Sequence, residues 1–283
     1  MLSKDKKILI VGLGLIGGSY AQALKRQDYE VGAVTRSQDT IDYALAEGMI
    51  DAGTTEPSAE FIGRYDIIVF ALYPHVFLKW IADYQQFIKP GALLTDVTGV
   101  KCSVVYEVQK MLRPDLEFVG AHPMAGREVY GVRNADCNIF KGANYIVTPT
   151  EANTEPAIRT VEELGKTLGF VRISRLSPER HDEMIGFLSQ LTHCIAVALM
   201  TCKDVEDLYA YTGDSFRDLT RIAKINDEMW SELFLLNKDE LLSQIDLFSE
   251  RMSELRSAIE NGDMETMREL MRLSTKRRKY FDK

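Results

Sequence analysis

Short apolar runs alternate with amphipathic segments over the first 175 residues of the chain. Runs rich in β-branched residues predict strands that are buried on both faces, and apolar residues spaced three and four positions apart predict helices between them. The predicted strands are residues 8–11, 30–34, 67–71, 93–96, 118–121, 145–148 and 170–173, and the predicted helices are residues 17–27, 40–47, 75–87, 101–112 and 155–168. This order is typical of βαβ units, so residues 1–175 are predicted to form a doubly wound α/β domain with a mostly parallel sheet.

The pattern changes after residue 175, and no further strand is predicted there. Ser177 and Pro178 are a typical helix start, because a hydroxyl stands at the cap position and a proline at the first helical position. Helical periodicity then continues to the end of the chain, with breaks at residues 212–214 and 261–263. We therefore predict a second, all-helical domain over residues 176–283.

One stretch of this second domain carries an apolar seam suited to packing along another long helix. Its members, spaced four and three residues apart, are Leu241, Ile245, Phe248, Met252, Leu255 and Ile259. Such a seam fits the core of a bundle within one chain, and it also fits a dimer interface. The pattern leaves both interpretations open.

The chain has 283 residues, of which 46% are apolar, and a formal net charge of −8. A chain of this length buries enough surface to need no disulfide or metal staple. The acidic total argues against a nucleic-acid partner, while a small anionic ligand stays possible where a few cationic side chains converge. The four cysteines show no paired spacing and no cluster with histidine, so we expect reduced thiols in the cytoplasm and no metal site.

Two apolar stretches have some of the features of targeting or membrane segments, and both are interrupted. Lysines precede an apolar run over residues 8–16, as in a signal peptide, but Gly12 and Gly14 interrupt the run and argue against that interpretation. Residues 185–200 include Gln190 and His193, which argue against a helix that crosses lipid. We therefore expect no membrane partner.

The segment Gly12-Leu13-Gly14-Leu15-Ile16-Gly17 fits G-x-G-x-x-G, and it lies directly after a predicted strand and before a predicted helix. In a Rossmann domain the first glycine allows a tight turn, the second lets a pyrophosphate approach the backbone, and the third lets helix and strand pack closely. The helix N-terminus then offers free N–H groups to the phosphates. We predict a dinucleotide site formed by Gly12, Gly14, Leu15, Ile16 and Gly17, together with Leu72, which directly follows the predicted strand 67–71.

The end of the second predicted strand indicates which dinucleotide binds. An acidic residue there would bond the adenosine ribose 2′-hydroxyl and repel a 2′-phosphate, but this chain has Thr35-Arg36-Ser37. A guanidinium between two hydroxyls suits a 2′-phosphate, which slightly favours NADP over NAD as the cofactor. Arg36 stacked on the adenine without reading the ribose is the alternative.

His122 is the strongest candidate for catalysis. It stands at the end of a predicted strand in Gly120-Ala121-His122-Pro123-Met124-Ala125-Gly126. Ligands bind outside the carboxyl ends of parallel strands, so we expect this histidine to face the cofactor rather than the core.

Candidate substrate contacts lie in the helical part. Ser189 and His193 are four residues apart and project from one helix face, although His193 would also be satisfied by a neighbouring carbonyl. Arg221 suits a bidentate pair with a carboxylate ligand, and a surface salt bridge with Asp218 is the alternative.

The whole chain resembles the prephenate dehydrogenase family, whose members oxidise prephenate or arogenate in tyrosine biosynthesis. The resemblance rests on four segments in family order: residues 12–19 (GLGLIGGS), residues 121–126 (AHPMAG) with Glu128, residues 189–193 (SQLTH), and residues 216–223 (FRDLTRIA) followed by Met229 and Trp230.

This resemblance implies an oxidative decarboxylation of prephenate to 4-hydroxyphenylpyruvate. It implies that His122 accepts a hydrogen bond from the ring hydroxyl, that Arg221 binds a substrate carboxylate and that His193 is a second substrate contact. Glu128 would pair with the arginine region, and Trp230 would come from the neighbouring subunit of a homodimer formed by the C-terminal helices. The dimer interpretation of the apolar seam is thereby favoured.

His181 and Asp182 also recur in the family, and we expect no more than a structural role for them. Two departures from the family pattern affect the substrate site. A serine that commonly contacts the substrate hydroxyl is replaced by Gly99, so Thr98 is the candidate for that hydroxyl. Only one of two common histidines is present in Ser189-Gln190-Leu191-Thr192-His193, which leaves prephenate and arogenate both open.

Two other functions are compatible with a dinucleotide-binding domain joined to a helical one. The first is an NADP-linked β-hydroxyacid dehydrogenase or imine reductase, in which Lys101 would be the catalytic group. The second is a dinucleotide sensor without catalytic activity, because a fold alone does not establish a reaction.

Overall fold

The structure is a computed structural model that describes residues 2–204 and 206–282. Its strands and helices follow one another in the order β1 (Ile8–Val11), α1 (Leu15–Lys25), β2 (Val31–Val34), α2 (Gln38–Ala46), β3 (Ala52–Thr54), α3 (Ala59–Ile62), β4 (Ile67–Phe70), α4 (Pro74–Tyr84), β5 (Leu93–Asp96), α5 (Cys102–Met111), β6 (Glu117–Phe118), β7 (Gly120–Met124), β8 (Asn144–Thr148), α6 (Glu155–Leu168), β9 (Arg172–Arg175), α7 (Pro178–Ile185), α8 (Leu191–Thr201), α9 (Asp214–Thr220), α10 (Asp227–Leu236), α11 (Lys238–Glu260) and α12 (Met264–Arg278).

Six parallel strands form the central sheet in the order β3-β2-β1-β4-β5-β6. Side chains of β1 alternate between two hydrophobic clusters, with Ile8 and Ile10 in one and Leu9 and Val11 in the other. Both faces of the sheet are therefore covered, which explains the continuous apolar runs of its inner strands. The strand order reverses between β1 and β4, and such a reversal opens a ligand-binding crevice at the carboxyl ends of the strands. The predicted Rossmann-type α/β domain is confirmed.

The strand predicted over residues 118–121 is wrong as a single element, because the chain changes sheets there. β6 ends at Phe118 on the parallel sheet, while β7 starts a three-stranded sheet in which β7 runs antiparallel to β8 and β8 runs parallel to β9. The change occurs at Gly120, where a Cβ atom would lie 2.5 Å from the Thr148 hydroxyl and 2.7 Å from a methyl group of Val105. His122 is consequently inside β7 and not at the end of a parallel strand.

Three other predictions of elements need correction. Strand β3 and helix α3 were not predicted, because three residues, Ala-Gly-Thr, and a single helical turn carry too little apolar pattern. Strand β9 starts two residues later than predicted. Phe170 instead ends the turn after α6, where Gly169 adopts a left-handed φ of +97° and the Phe170 N–H donates to the Gly165 carbonyl.

After Arg175 the described residues form helices and turns without a strand, as predicted. Helix α7 continues through a π-helical segment, Gly186–Gln190, into α8. Gln190 is buried there: its amide donates to the Leu233 carbonyl at 3.0 Å and its oxygen accepts from Asn237 at 2.8 Å. The π-helical segment is thus fastened to α10 and the start of α11.

Among residues 2–204 and 206–282, one helix, Pro178–Thr201, is long and apolar enough to cross a membrane by length and composition alone, with a mean hydropathy of 1.6 in its most apolar window. Core helices of soluble proteins meet the same two criteria. The sequence-based expectation of no membrane partner remains a prediction.

The apolar seam of α11 is covered at one end only within a single chain. Leu241 is 5% exposed, whereas Met252 is 51% and Ile259 is 61% exposed. A fully intramolecular bundle would bury the whole seam, so the second half of α11 keeps an uncovered apolar face.

Candidate active site

The glycine-rich loop after β1 packs closely against the protein at Gly12 and Gly17 and faces open space at Gly14. Gly12 has a φ of +99°, which favours glycine, and a Cβ on Gly17 would lie 1.9 Å from the Gly12 carbonyl oxygen. A Cβ on Gly14, in contrast, would meet no atom within 4 Å. The loop therefore leaves free space at Gly14, where the sequence motif places the close approach of a pyrophosphate.

The N-terminus of α1 offers its backbone donors to this space. Gly14 caps the helix without a side-chain hydrogen bond, and the first turn contains no acidic residue. Leu15 and Ile16 form that turn, and the Leu72 side chain lies 2.9 Å from the position of a Cβ on Gly12. Free N–H groups and the positive end of the helix dipole suit an anionic group, so these residues fit a dinucleotide.

The end of β2 carries no carboxylate. Arg36 is exposed and makes no ion pair with any residue in the described ranges. Ser37 caps α2, since its hydroxyl accepts from the Thr40 N–H at 3.3 Å, and the Thr35 N–H donates to the Thr54 carbonyl. The guanidinium is thus free to meet a ligand at the strand end.

A chain of three side chains runs from the helical part to His122. Asp182 Oδ1 lies 2.7 Å from His181 Nδ1, and His181 Nε2 lies 2.9 Å from His122 Nδ1. Asp182 also accepts the backbone N–H groups of Lys101 and Cys102, each at 2.8 Å. His181 and Asp182 are almost completely buried, while His122 is half-buried.

This chain fixes which nitrogen of His122 carries the proton. A carboxylate only accepts, so His181 Nδ1 carries a hydrogen and donates to Asp182. A neutral His181 then accepts at Nε2, which requires His122 Nδ1–H to be the donor. His122 Nε2 is left with its lone pair, and a histidine in that form is a general base.

Burial keeps both histidines neutral. It lowers the pKa of His122 well below the ordinary value of 6.5, and the nearby His181 and Lys101 lower it further. Burial also lowers the pKa of His181, with Asp182 opposing. Burial would raise the pKa of Asp182, but the hydrogen bond from His181 and the two backbone donors outweigh it and lower this pKa.

Thr98 and Lys101 are part of a sealed cluster. Lys101 Nζ lies 2.6 Å from Asp96 Oδ2 and 3.0 Å from the Thr98 hydroxyl, with Lys101 and Asp96 both 0% exposed. Thr98 is 4% exposed and its hydroxyl contacts the same Asp96 oxygen. The prediction that Thr98 offers its hydroxyl to a substrate is therefore not supported, because Asp96 and Lys101 already engage it. The same burial argues against Lys101 as a catalytic group.

His193 and Trp230 form one wall of the cleft. Their rings stack with centroids 3.7 Å apart and an interplanar angle of 29°. His193 Nδ1 lies 2.9 Å from the Ser189 carbonyl, the local hydrogen bond weighed as an alternative for this residue. The contact of Trp230 is made within one chain, whereas the resemblance implied delivery by the neighbouring subunit.

Arg221 pairs with Glu128 and not with Asp218. Its Nη1 lies 2.7 Å from Glu128 Oε1, and the Arg221 side chain is 64% exposed. Both charges act on His193: burial is the main cause that lowers its pKa, Glu128 opposes this and Arg221 adds to it. The charged pair therefore lies near the stacked rings of His193 and Trp230.

Gly99 lies between His122 and helix α10. A Cβ at this position would lie 3.4 Å from the Leu233 side chain on α10 and 4.0 Å from His122 Cε1. Trp230, one turn before Leu233, stacks on His193. Gly99 and α10 thus connect His122 with the stacked rings of His193 and Trp230.

Sequence reasoning missed the involvement of His181 and Asp182. Their position in the first turns of α7 indicates only a helix start, and nothing local shows that α7 packs against α5 and β7. Two adjacent polar residues that are both buried would have been the signal, but burial becomes visible only in the folded chain.

A dinucleotide cradle, a neutral histidine and an arginine in one cleft define the class of NAD(P)-dependent dehydrogenases. Residues 20–173 match the family model for the prephenate dehydrogenase nucleotide-binding domain, and residues 177–273 match the model for the prephenate dehydrogenase dimerization domain. The chain belongs to the prephenate dehydrogenase family.

Similar proteins cover most of the chain. Prephenate dehydrogenase of Bacillus subtilis is 30% identical over 92% of this chain and 72% of its own length. Cyclohexadienyl dehydrogenase of Zymomonas mobilis is 30% identical over 96% of this chain and 95% of its own length. The crystal structure of prephenate dehydrogenase from A. aeolicus in complex with hydroxyphenyl propionate and NAD+ superposes with a TM-score of 0.88 at 30% identity, covering 97% of this chain and 98% of that one.

Two glycine variants test the cradle. Gly17→Ala is expected to lower the free energy of unfolding by about 1–3 kcal/mol, because its Cβ would collide with the Gly12 carbonyl. Gly14→Ala is expected to keep the wild-type melting temperature and to weaken NAD+ binding, because its Cβ enters the open space. Thermal unfolding and calorimetric titration measure the two effects, and a Gly14→Ala variant with unchanged NAD+ affinity would contradict this placement of the pyrophosphate.

Proposed function

We propose that this protein catalyses the NAD(P)-dependent oxidative decarboxylation of prephenate to 4-hydroxyphenylpyruvate. The observation that carries the proposal is the Asp182–His181–His122 chain, which leaves a neutral imidazole nitrogen of His122 free in a cleft beside a dinucleotide cradle. The matches to prephenate dehydrogenases along both parts of the chain support the same substrate class.

His122 is the catalytic residue of this proposal. Its Nε2 accepts a hydrogen bond from the ring hydroxyl of the substrate, which increases alkoxide character on that oxygen and promotes hydride loss from the carbon that bears it. Loss of the ring carboxylate as CO2 then forms the aromatic ring. NAD(P)+ held by the glycine-rich loop supplies the hydride acceptor.

Arg221, His193, Ser189 and Trp230 form the substrate pocket of the proposal. Prephenate carries two carboxylates, and Arg221 is an exposed cation whose charge acts on His193, which stacks on Trp230. A substrate carboxylate would take the place of Glu128 on the guanidinium, which suits bidentate binding of a carboxylate. Glu128 thus occupies the arginine until a substrate competes for it.

We further propose domains over residues 1–175 and 176–283 and a homodimer in the cytoplasm. The C-terminal part matches a dimerization domain, and the second half of α11 has an uncovered apolar face. A second copy of the chain would cover that face.

Two alternatives differ in substrate or in activity. Arogenate shares the ring that reacts in prephenate, and the same pocket would hold it. A dinucleotide sensor without catalysis would bind cofactor and turn over neither substrate. A Lys101-dependent β-hydroxyacid dehydrogenase is disfavoured, because Lys101 is sealed against Asp96.

A four-way assay tests the proposal: prephenate and arogenate, each with NAD+ and NADP+, followed by the absorbance of reduced cofactor. Turnover with prephenate is expected, and His122→Asn is expected to lower kcat by about 10²- to 10⁴-fold, because a positioned base is lost. The variant should keep its melting temperature and NAD+ affinity. Absence of turnover in all four combinations would refute the enzyme and favour the sensor.

The pH dependence tests the state of His122. Its lowered pKa means that the imidazole stays neutral, and so remains a base, at pH values below 6.5. The acid limb of kcat/KM is therefore expected to have its midpoint below 6.5, and activity should fall only under that pH. A midpoint at or above the ordinary histidine value, in protein that circular dichroism shows to be folded, would contradict the buried neutral base.

Arg36→Ala tests the proposed NADP preference. The variant is expected to weaken NADP+ binding by about 10-fold or more and to leave NAD+ binding unchanged, since a charge-assisted contact to the 2′-phosphate is lost. Arg26→Ala, which removes an exposed arginine after the last turn of α1, is the matched control. Unchanged NADP+ affinity in Arg36→Ala would show that this guanidinium does not read the phosphate.

A further inference from the structure

Helix α10 joins the cofactor cradle to the substrate wall, although it belongs to the helical part of the chain. Leu233 is 8% exposed within the hydrophobic cluster on one face of the parallel sheet, and Met229 and Trp230 pack against the same cluster. The helix is therefore held on the nucleotide-binding part by apolar contacts that its own domain does not supply.

Polar contacts fasten the same helix to the segment that follows β4. Glu232 Oε1 accepts the backbone N–H of His75 at 2.8 Å, and Glu232 Oε2 lies 2.8 Å from His75 Nδ1. Asn226, the N-cap of α10, donates from its amide to the Tyr73 hydroxyl at 2.9 Å. We call these three contacts the α10 latch.

Glu232 supplies what α4 lacks at its N-terminus. Tyr73 is the N-cap of α4 and makes no side-chain capping bond, and Pro74 has no N–H, so His75 carries the first free donor of the helix. A carboxylate at this end satisfies that donor and the positive end of the helix dipole. The Glu232 side chain is 18% exposed and the His75 side chain 62%, so the carboxylate is better shielded from water than the imidazole it contacts.

The latch lies between the two halves of the candidate active site. On one side, Tyr73 directly follows Leu72, whose side chain packs at Gly12 in the cradle. On the other side, α10 carries Trp230, which stacks on His193, and Leu233, which faces Gly99 beside His122. A displacement of α10 would move the substrate wall relative to the cradle.

We infer that Glu232, through His75, is a positioning residue that sets the distance between the bound dinucleotide and the substrate pocket. The kinetic test of this inference rests on the proposed function. The hydrogen–deuterium exchange test requires only that the protein binds NAD+. A misplacement of about 1 Å between reacting groups costs up to about 10²-fold in rate, so the latch has a measurable effect.

Hydrogen–deuterium exchange with and without NAD+ provides the test that needs no substrate. NAD+ bound at the cradle is expected to slow amide exchange in α10 of the wild-type protein, because the segment from Leu72 to His75 contacts Gly12 at one end and Glu232 at the other. Glu232→Ala is expected to lose this protection in α10 while the cradle itself remains protected. Glu228→Ala, which removes an exposed carboxylate from the same helix, should behave as the wild type.

Kinetics supply the second arm. Glu232→Ala is expected to lower kcat by about 10- to 100-fold with a smaller change in the KM for prephenate, because alignment is lost rather than substrate contacts. Glu232→Gln should recover most of the loss, since its amide oxygen still accepts the His75 N–H. His75→Ala, which keeps that backbone donor, should show a smaller loss than Glu232→Ala.

The outcomes separate the two proposals. A wild-type protein that turns over neither substrate refutes the proposed function, and the latch is then judged by the exchange experiment alone. The inference is overturned if NAD+ still protects α10 in Glu232→Ala. It is also overturned if the kcat of Glu232→Ala equals that of the wild type. Should Glu232→Ala not fold, Glu232→Gln and His75→Ala carry both arms, and His75→Ala with wild-type coupling and kcat would equally overturn it.

Discussion

Three helices of the nucleotide-binding part, α1, α4 and α5, begin without a capping side chain of their own, and the helical part supplies caps for α4 and α5. Tyr73 before α4 and Lys101 before α5 offer no acceptor to the first free N–H groups. Glu232 reaches the first site and Asp182 the second. An unsatisfied helix end in a protein interior is costly, so α5, whose cap by Asp182 is buried, depends on the helical part for its final structure. The cleft between them is built from these two junctions.

Asp182 connects this structural requirement with the chemistry. The oxygen that accepts the Lys101 N–H also faces His181 Nδ1, so the cap of α5 and the orientation of His122 depend on one carboxylate. A buried carboxylate is tolerable only when its oxygens are hydrogen-bonded, and here two backbone groups and one imidazole do this. The neutral state of the histidines and the ionised state of Asp182 are therefore consequences of the same packing. The same Asp182 carboxylate that caps α5 therefore also fixes the tautomer of His122, through His181.

Features that depend on neighbouring residues were accessible from the sequence, and features that depend on distant ones were not. The inner strands and the loop from Gly12 to Gly17 follow from local apolar pattern and glycine spacing, and the structure has them where they were predicted. The change of sheet at Gly120 depends on Thr148, and the chain to His122 depends on two residues about sixty positions away, so neither leaves a local signal. The contact between Lys101 Nζ and the Thr98 hydroxyl also leaves no signal in the sequence, because it forms only when the chain folds.

The capping pattern also explains why one particular helix end serves an anionic cofactor in a protein with a net charge of −8. In the nucleotide-binding part, α2, α3 and α6 are capped by their own hydroxyl side chains, and α4 and α5 by carboxylates from the helical part. Among the helices described there, α1 remains without such a cap, and Gly14 leaves its end open. Within the nucleotide-binding part, side-chain oxygens of the chain occupy the other described helix starts, and the free N–H groups of α1 remain for a phosphate. Selectivity for that end thus follows from the occupancy of the others as much as from the glycine motif itself.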